Sequence, residues 1–262
     1  MTLSVETCIA QHQGDREEQQ DRVALFAHPK RSGMLLAVLA DGMGGHSGGA
    51  MAAEQVLLTA RNNFDTYGPA QSVREMLAEG INDAHSAIRL TRYTSEQDPH
   101  STACIFIMHG QRADWAHCGD SRIYHFRNGE LVSRTIDHSY VADLLRQGMI
   151  SAAEIPSHPH KNYLLSCLGE MQPPQISFGQ ASELTPGDCF LLCSDGLWNY
   201  CSDAEFAGAL AQHAPRAAAA MLIEMARRRG GGGGDNISVA IVRVVGPAKA
   251  VKPKIAQAPL RE

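Results

Sequence analysis

Four aspartates in the sequence stand where an apolar segment ends. Asp41 directly follows the run MLLAVLA, Asp195 follows CFLLCS, and a glycine comes after each of them. Asp120 lies in the turn CGDSR between two strand-like segments, and Asp235 stands between a run of glycines and the apolar segment NISVAIV. We therefore expect each carboxyl group at a point where a strand leaves the core.

Carboxylates that meet at one rim of a core repel one another and are costly to desolvate without positive charge nearby. No Lys or Arg is adjacent to Asp41, Asp195 or Asp235 in the sequence. A bound cation would cancel the repulsion, and an all-oxygen ligand set favours Mg²⁺ or Mn²⁺ over Zn²⁺. An isolated Asp-Gly pair is more typical of an ordinary turn. The pattern alone leaves a metal site and a set of turns as alternatives.

Five short motifs follow one another along the chain. They are Gly14-Asp15-Arg16 leading to Asp21, Asp41-Gly42-Met43-Gly44-Gly45-His46, Gly119-Asp120-Ser121-Arg122, Ser194-Asp195-Gly196-Leu197-Trp198 and Gly234-Asp235-Asn236-Ile237-Ser238. In this order they resemble the metal-dependent type-2C (PPM-type) protein serine/threonine phosphatases of bacteria. Asp137-His138-Ser139, His158-Pro159 and Leu168-Gly169 resemble the flap region of the same proteins. The resemblance covers about residues 3–245.

The resemblance implies an α+β fold, a four-layer α-β-β-α sandwich of two mostly antiparallel sheets flanked by helices. It makes residues 1–245 a catalytic domain and leaves 246–262 as a tail, which is rich in Pro, Ala and Lys and which we expect to be disordered. The implied cofactors are Mn²⁺ or Mg²⁺, two bound tightly and a third more weakly.

The same resemblance assigns a role to each site residue. Asp41 would bridge the two metals, the Gly42 carbonyl would bind one of them, and Asp195 and Asp235 would hold the other. Asp21 would anchor water at the centre, Asp120 would belong to the third metal position, and Arg16 would bind the substrate phosphate. The catalytic set is thus Arg16, Asp21 and Asp41, with Asn236 expected to orient metal-bound water.

The implied reaction is hydrolysis of phosphoserine and phosphothreonine in proteins by a metal-activated water. Uncatalysed phosphate monoesters react extremely slowly, and a two-metal centre stabilises both the attacking and the leaving oxygen. A planar guanidinium such as that of Arg16 offers paired donors to two phosphate oxygens. A phosphorylated protein and a cognate kinase are the expected partners.

Two residues depart from the family pattern. Gln20 stands where many members have Glu, which would give the second metal position less negative charge. Met43 stands where animal members carry a histidine, and a thioether cannot protonate a leaving group. The acid would then be water at the third metal or another group, and for His46 we favour a structural role. Gln20 also supports an alternative, a catalytically weak module that binds phosphoproteins, and a small-molecule phosphoesterase is a third possibility.

Composition restricts the remaining functions. The 262 residues carry a formal net charge of -5, which argues against general nucleic-acid binding. No apolar run reaches the roughly 18 residues of a bilayer span, and no signal peptide is evident. We expect a soluble, cytoplasmic monomer without membrane partners, with its seven cysteines reduced.

The elements that must position these residues can be predicted from periodicity. Apolar alternation and continuous apolar runs predict strands, and repeats at three or four residues predict helices. The four successive segments between 102 and 136 predict a β-meander whose Asn128-Gly129 turn favours a tight hairpin. The predicted strands are 3–12, 22–28, 34–40, those of the meander, 188–194 and 236–245. The predicted helices are 49–64, 70–92 and one or two within 203–228. Residues 139–165 are predicted to be a polar surface insertion with helical character.

Overall fold

The computed structural model describes residues 3–44, 48–91 and 97–246. Two five-stranded antiparallel sheets form its centre. In spatial order, the first sheet contains β1 (Ser4–His12), β12 (Ile237–Val245), β11 (Asp188–Cys193), β8 (Arg122–Arg127) and β9 (Glu130–Arg134). The second contains β10 (Ser177–Ala181), β7 (Arg112–Cys118), β6 (Ala103–His109), β3 (Met34–Ala40) and β2 (Arg22–Ala27), and a separate ladder pairs β4 (Gly42–Met43) with β5 (His100–Ser101).

Helices cover the outer face of each sheet. α1 (Gly48–Thr66) and α2 (Val73–Thr91) pack on the second sheet, and α5 (Asp203–Gln212) and α6 (Pro215–Gly230) pack on the first. Two short helices, α3 (Tyr140–Arg146) and α4 (Asp195–Trp198), lie near the ends of strands. The predicted four-layer α-β-β-α sandwich of two antiparallel sheets is confirmed.

Strand β3 shows why the layers form. Its residues Leu36 and Val38 belong to the core under α1 and α2, whereas Ala37 and Leu39 belong to the core between the sheets. Side chains alternate between the faces of a strand, so a strand covered on both faces must be apolar throughout. The unbroken run MLLAVLA is therefore the sequence of a strand in the middle of the sandwich.

The predicted meander is wrong in one respect. β6 pairs with β7 in the second sheet, and β8 pairs with β9 in the first, so the four strands form two hairpins in different sheets. The chain crosses between the sheets at 119–121, where Gly119 has a φ of +100°. Local alternation predicts strands but does not specify their partners. The Asn128-Gly129 turn itself is as predicted, with φ of 51° and 83°.

Four elements were not predicted: the short strands β4 and β5, strand β10 and helix α4. The insertion at 139–165 contains α3 and a 3₁₀ turn at Ile155–Ser157, so it is partly helical as expected. The structure describes the expected tail only at Gly246, and His46 lies outside the described residues. Within 3–44, 48–91 and 97–246, no helix combines the length and the apolar character that crossing a membrane requires.

Candidate functional site

The antiparallel register brings the predicted aspartates to one end of the sandwich. The end of β3 lies beside the start of β2, because Ala40 pairs with Arg22, and beside β6, which in turn pairs with the end of β7. Asp21, Asp41 and Asp120 occupy these strand ends. In the other sheet, Cys193 at the end of β11 pairs with Val239 near the start of β12. Asp195 and Asp235 therefore emerge at the same end.

Mutual repulsion among the five carboxyl groups shows that they form one cluster. Burial raises the pKa of Asp41 well above its ordinary value, and the negative charges of the other four aspartates raise it further. Burial also raises the pKa of Asp120, with Asp195 as the largest repelling charge. The cluster therefore holds more negative charge than the described side chains around it neutralise.

Asp41 is positioned by hydroxyl groups of the neighbouring strand. Its backbone N–H donates to Thr102 Oγ1 at 2.9 Å, and the Thr102 N–H donates to the Asp41 carbonyl at 2.9 Å. The same carbonyl accepts from Ser101 Oγ at 3.1 Å. Thr102 Oγ1 also lies 2.7 Å from Ser121 Oγ, so the Asp41 backbone is connected to the turn that carries Asp120. Ser101 and Thr102 were not singled out in the sequence, whereas Ser121 belongs to one of its motifs.

Asp21 is the most buried member of the cluster, with 1% of its surface exposed. Ser194 Oγ donates to its Oδ2 at 2.7 Å, and Ser194 Oγ itself accepts from the Ser238 N–H at 3.0 Å. Burial raises the pKa of Asp21 to about 7, although hydrogen bonds from the side chains of Ser194 and Ser238 act to lower it. Ser194 therefore ties Asp21 to both strands that carry Asp195 and Asp235.

Asp195 has an unsatisfied oxygen. Its Oδ1 is buried and has no hydrogen-bond partner among the described residues, whereas Oδ2 accepts from Asn199 Nδ2 at 3.3 Å. Burial raises the pKa of Asp195 to about 6, with the charge of Asp235 as the next contribution. A buried carboxylate oxygen without a donor is costly unless a cation or water takes that place.

Two glycines leave room beside this cluster. A Cβ at Gly42 would stand 2.0 Å from the Gly49 carbonyl oxygen, so only glycine fits there. The position of a Cβ at Gly49 lies 2.6 Å from Gln20 Oε1 and 2.7 Å from the Gly42 carbonyl oxygen. The Gln20 amide oxygen and the Gly42 carbonyl thus converge on one small space at the start of α1.

The Gly14-Asp15-Arg16 motif closes the other side of the cluster. Gly14, at a φ of +68°, packs so closely that a Cβ would lie 2.1 Å from the Asp235 carbonyl oxygen. Asp15 accepts from the Gly234 N–H at 2.9 Å and donates its own N–H to the Gly234 carbonyl. Arg16 Nη2 donates to Asp235 Oδ2 at 2.6 Å. The glycine run before Asp235 is therefore anchored at its last residue.

The side-chain amide of Asn236 is hydrogen-bonded to the loop of residues 13–20. Its Oδ1 accepts from the Gln20 N–H at 2.7 Å, and its Nδ2 donates to the carbonyls of Gln13 and Glu18 at 2.7 and 2.9 Å. Asn236 therefore holds this loop in place beside the aspartates, and its expected role in orienting metal-bound water stays a prediction.

A cleft of about 750 Å³ opens above the aspartates. Arg16, Asp120, Asp195 and Asp235 line one side of it, and residues of the 139–165 insertion line the other. Arg122 fixes the start of the insertion through Asp137. The lining of the cleft includes several positively charged side chains, which suits an anionic ligand.

Arg122 joins the cluster to the insertion. It donates to both carboxylate oxygens of Asp137 at 2.8 and 2.7 Å, and its guanidinium stacks 3.6 Å from the centre of the Trp198 ring. Trp198 Nε1 donates to the Asp120 carbonyl at 2.9 Å. The sequence motifs contain both Arg122 and Trp198, but nothing in their spacing indicated this contact.

The donor set fits hard divalent cations. All candidate ligands are oxygen atoms, the carboxylates repel one another, and one buried carboxylate oxygen lacks a partner. Oxygen-only sites of this kind suit Mg²⁺ and Mn²⁺.

Comparisons with known proteins agree with the geometry. The model of the family described as protein phosphatase 2C matches residues 10–228. The chain is 32% identical to the protein phosphatase PhpP of Streptococcus pneumoniae over 248 residues, which cover 92% of this chain and 97% of that protein. It is 35% identical over 218 residues to the serine/threonine protein phosphatase PstP of Mycobacterium tuberculosis, covering 82% of this chain and 41% of PstP.

Solved structures give the same result for the fold. The serine/threonine phosphatase of S. agalactiae superposes with a TM-score of 0.83 at 31% identity, covering 92% of this chain and 99% of the other. The catalytic domain of PstP, solved in complex with two manganese ions, superposes with a TM-score of 0.78 at 30% identity, covering 93% of this chain and all of that one.

Proposed function

The chain belongs to the protein phosphatase 2C family, and from that membership we propose how its aspartate cluster serves metal-dependent hydrolysis of phosphoserine and phosphothreonine in proteins. The observation that carries the proposal is the unpartnered, buried Asp195 Oδ1 within a cluster of mutually repelling carboxyl groups. Such a cluster binds divalent cations because they remove the repulsion and complete the coordination of its oxygens.

The proposed ligands are the five aspartates and one carbonyl. Asp41 and the Gly42 carbonyl serve one metal, Asp195 and Asp235 serve the other, and Asp41 is shared between them. Asp120 belongs to a third, weaker position, and Asp21, held by Ser194, orients water from beneath. Divalent ions bound there would stabilise the negative charge of the phosphoryl oxygens and lower the pKa of the water bound to them.

Arg16 is the proposed phosphate-binding residue. Its guanidinium is exposed on the cleft side of Asp235 and presents paired N–H donors, the geometry that a phosphate group accepts. Its present partner Asp235 is a proposed metal ligand, so cation binding at Asp235 would release Arg16 to the substrate.

The proposed substrate is a phosphorylated segment of a protein, and a cognate serine/threonine kinase is the proposed counterpart in the cell. The open cleft between the aspartates and the 139–165 insertion would admit a side chain carried on an extended peptide. We propose residues 1–245 as the catalytic domain, working as a monomer.

An assay of four phosphorylated substrates tests this function. With Mn²⁺ present, we expect turnover of p-nitrophenyl phosphate and of phosphoserine and phosphothreonine peptides, abolished by chelator and by Asp195→Ala. Asp114→Ala, at a carboxylate paired with Arg112 on β7, is the matched control and should retain activity. Higher kcat/KM on a phosphorylated metabolite than on the peptides would indicate a small-molecule phosphoesterase. Peptide binding without turnover at any metal concentration would indicate the phosphoprotein-binding module.

A further inference from the structure

A second group of metal-ligating side chains lies outside the aspartate cluster. His100, Cys167 and Glu170 bring one nitrogen, one sulfur and one oxygen atom within 4.8 Å of one another. His100 belongs to β5, and the other two follow the 139–165 insertion. None of the three is among the proposed ligands of the catalytic centre. We propose that these residues bind a zinc-class transition-metal ion.

The distances fit such an ion. Glu170 Oε1 lies 3.6 Å from His100 Nε2 and 3.8 Å from Cys167 Sγ. Bonds of about 2.0–2.3 Å from zinc to its ligands place the donor atoms of a tetrahedral site roughly 3.3–3.7 Å apart. The donor atoms of His100 and Cys167 lie within 4.8 Å of each other, so small side-chain movements would let the three residues surround an ion and leave a fourth position for water.

His100 is already in the orientation and tautomer that a metal requires. Its Nδ1 lies 2.9 Å from the carbonyl oxygen of Asp98. Because a carbonyl oxygen only accepts, Nδ1 carries a proton, so Nε2, which faces Glu170, is the nitrogen available to a metal. Metal-binding histidines commonly hold their second nitrogen in this way. A plain ion pair between His100 and Glu170 is the competing arrangement, and it would need both nitrogens protonated.

The surroundings make the site preformed and accessible. Leu168 exchanges two backbone hydrogen bonds with Ser101, at 3.1 and 2.8 Å, which fixes Cys167 beside His100. Gly169, at a φ of +96°, packs so closely that a Cβ would lie 2.4 Å from the Pro99 carbonyl oxygen. Cys167 is 6% exposed, whereas the side chain of Glu170 is 53% exposed, so an ion can enter past the glutamate.

The donor set distinguishes this site from the aspartate cluster. A thiolate and an imidazole prefer Zn²⁺ or Co²⁺, whereas all-oxygen sites prefer Mg²⁺ and Mn²⁺. Binding requires Cys167 to release its thiol proton to solvent as the Sγ–metal bond forms. Because Ser101 Oγ donates to the Asp41 carbonyl, an ion at this site would hold the segment that follows the insertion close to the backbone of Asp41.

Cobalt spectroscopy tests the proposal independently of phosphatase activity. The full chain is saturated with Mg²⁺ to occupy the oxygen site and then titrated with Co²⁺. We expect a near-ultraviolet band of thiolate-to-cobalt charge transfer, which an oxygen-only centre cannot produce. The band should be absent in Cys167→Ser and weakened in His100→Asn, and unchanged in Cys8→Ser, which removes a half-buried thiol of β1.

A second measurement covers the case in which a variant is poorly folded. Zn²⁺ added to the Mg²⁺-saturated wild-type chain should slow hydrogen exchange of the Leu168 amide about tenfold or more. No charge-transfer band in the wild type, a band that persists in Cys167→Ser, or exchange unaffected by Zn²⁺ would each overturn the proposal. These results leave the phosphatase assignment untouched, because that assignment rests on the aspartates.

Discussion

Arg16 and Asp235 are 219 positions apart, yet Arg16 Nη2 donates to Asp235 Oδ2 at 2.6 Å. One partner is the proposed phosphate-binding residue and the other a proposed metal ligand. The arginine therefore neutralises part of the acidic cluster. Since a divalent cation at Asp235 would displace that guanidinium, metal binding and exposure of the phosphate-binding group are expected to be coupled.

The first prediction follows from this pair. Arg16→Ala should lower kcat/KM for a phosphopeptide about 10–100-fold, because a bidentate contact to the phosphate is lost. Mn²⁺ affinity, measured by isothermal titration, should be equal or higher, because the competing cation has been removed from Asp235. Arg16→Lys is the matched control and should recover only part of the activity. Loss of Mn²⁺ binding in Arg16→Ala would instead make Arg16 a structural support of the centre.

The second prediction concerns the stability of the metal-free protein. The pKa of Asp195 is raised from 3.8 to about 6, so its contribution to stability is present below about pH 4 and lost as the pH rises through about 6. In chelator at about pH 8, Asp195→Asn should therefore raise the free energy of unfolding by about 1–3 kcal/mol.

Urea unfolding at several pH values measures this effect. The gain of Asp195→Asn over the wild type should shrink towards zero near pH 4, since the native carboxyl group is then neutral too. Asp114→Asn, which removes a carboxylate paired with Arg112, should show no such gain. If Asp195→Asn is less stable than the wild type without metal, charge repulsion is not the property that governs the cluster.

The convergence of the aspartates could be predicted from the sequence for a physical reason. Asp41 and Asp195 each end a continuous apolar strand, and alternate strands of an antiparallel sheet end at the same edge, where their carboxyl groups can meet. Their convergence therefore follows from the order of the strands once two sheets are expected. Gly14 and Gly42 stand in the same motifs, and the structure shows that each allows a backbone approach that a Cβ would block.

What the sequence could not supply was pairing between distant segments. The division of the predicted meander between two sheets depends on packing around Gly119, and the alternation of apolar residues is the same in either arrangement. The segment SFGQA of β10 has too little apolar character to predict a strand, and it forms against β7. The hydrogen bonds of Thr102, Ser194 and Asn236 likewise depend on tertiary contacts, since these residue types are common in turns.

A third prediction tests the root of the insertion. Arg122→Lys should lower stability by about 1–2 kcal/mol, because Lys cannot donate to both Asp137 oxygens while stacking on Trp198. KM for a phosphopeptide should rise, since Asp137 begins the segment that borders the cleft. Arg134→Lys is the control: its contact with Asp203 is exposed and 3.4 Å long, and it should change stability by less than about 0.5 kcal/mol. Equal effects of the two variants would exclude a special role for Arg122.

A fourth prediction concerns acid stability. His138 Nδ1 accepts from the Gly119 N–H at 3.2 Å, and its ring stacks on that of His117 with centroids 4.6 Å apart. Burial, and then the neighbouring His117, lower the pKa of His138 from 6.5 to about 4. As the pH falls, this histidine is protonated in the unfolded chain before it is protonated in the folded chain. Up to about 3 kcal/mol of stability is therefore lost as the pH falls from about 6.5 towards 4.

His138→Gln should reduce that loss, because glutamine can accept the Gly119 hydrogen bond but does not titrate. The measurement is the difference in unfolding free energy between about pH 7 and pH 4.5 for the wild type and the variant. His109→Gln, at an exposed position on β6, should leave the difference as it is in the wild type. An undiminished loss in His138→Gln would assign acid sensitivity to other groups.

The last prediction concerns the residue that departs from the family pattern. Gln20 Oε1 and the Gly42 carbonyl both approach the space beside Gly49, so a carboxylate at position 20 would add negative charge where we propose that one of the metals binds. Gln20→Glu should tighten Mn²⁺ binding at the weaker of the two positions about tenfold, because charge on an oxygen ligand strengthens its attraction to a hard cation. Isothermal titration should show this change, whereas Gln212→Glu, which adds the same charge at the exposed end of α5, should not. If Gln20→Glu and the wild type gave identical titrations, Gln20 would lie outside the metal centre. Its side chain would then serve to pack against Gly49.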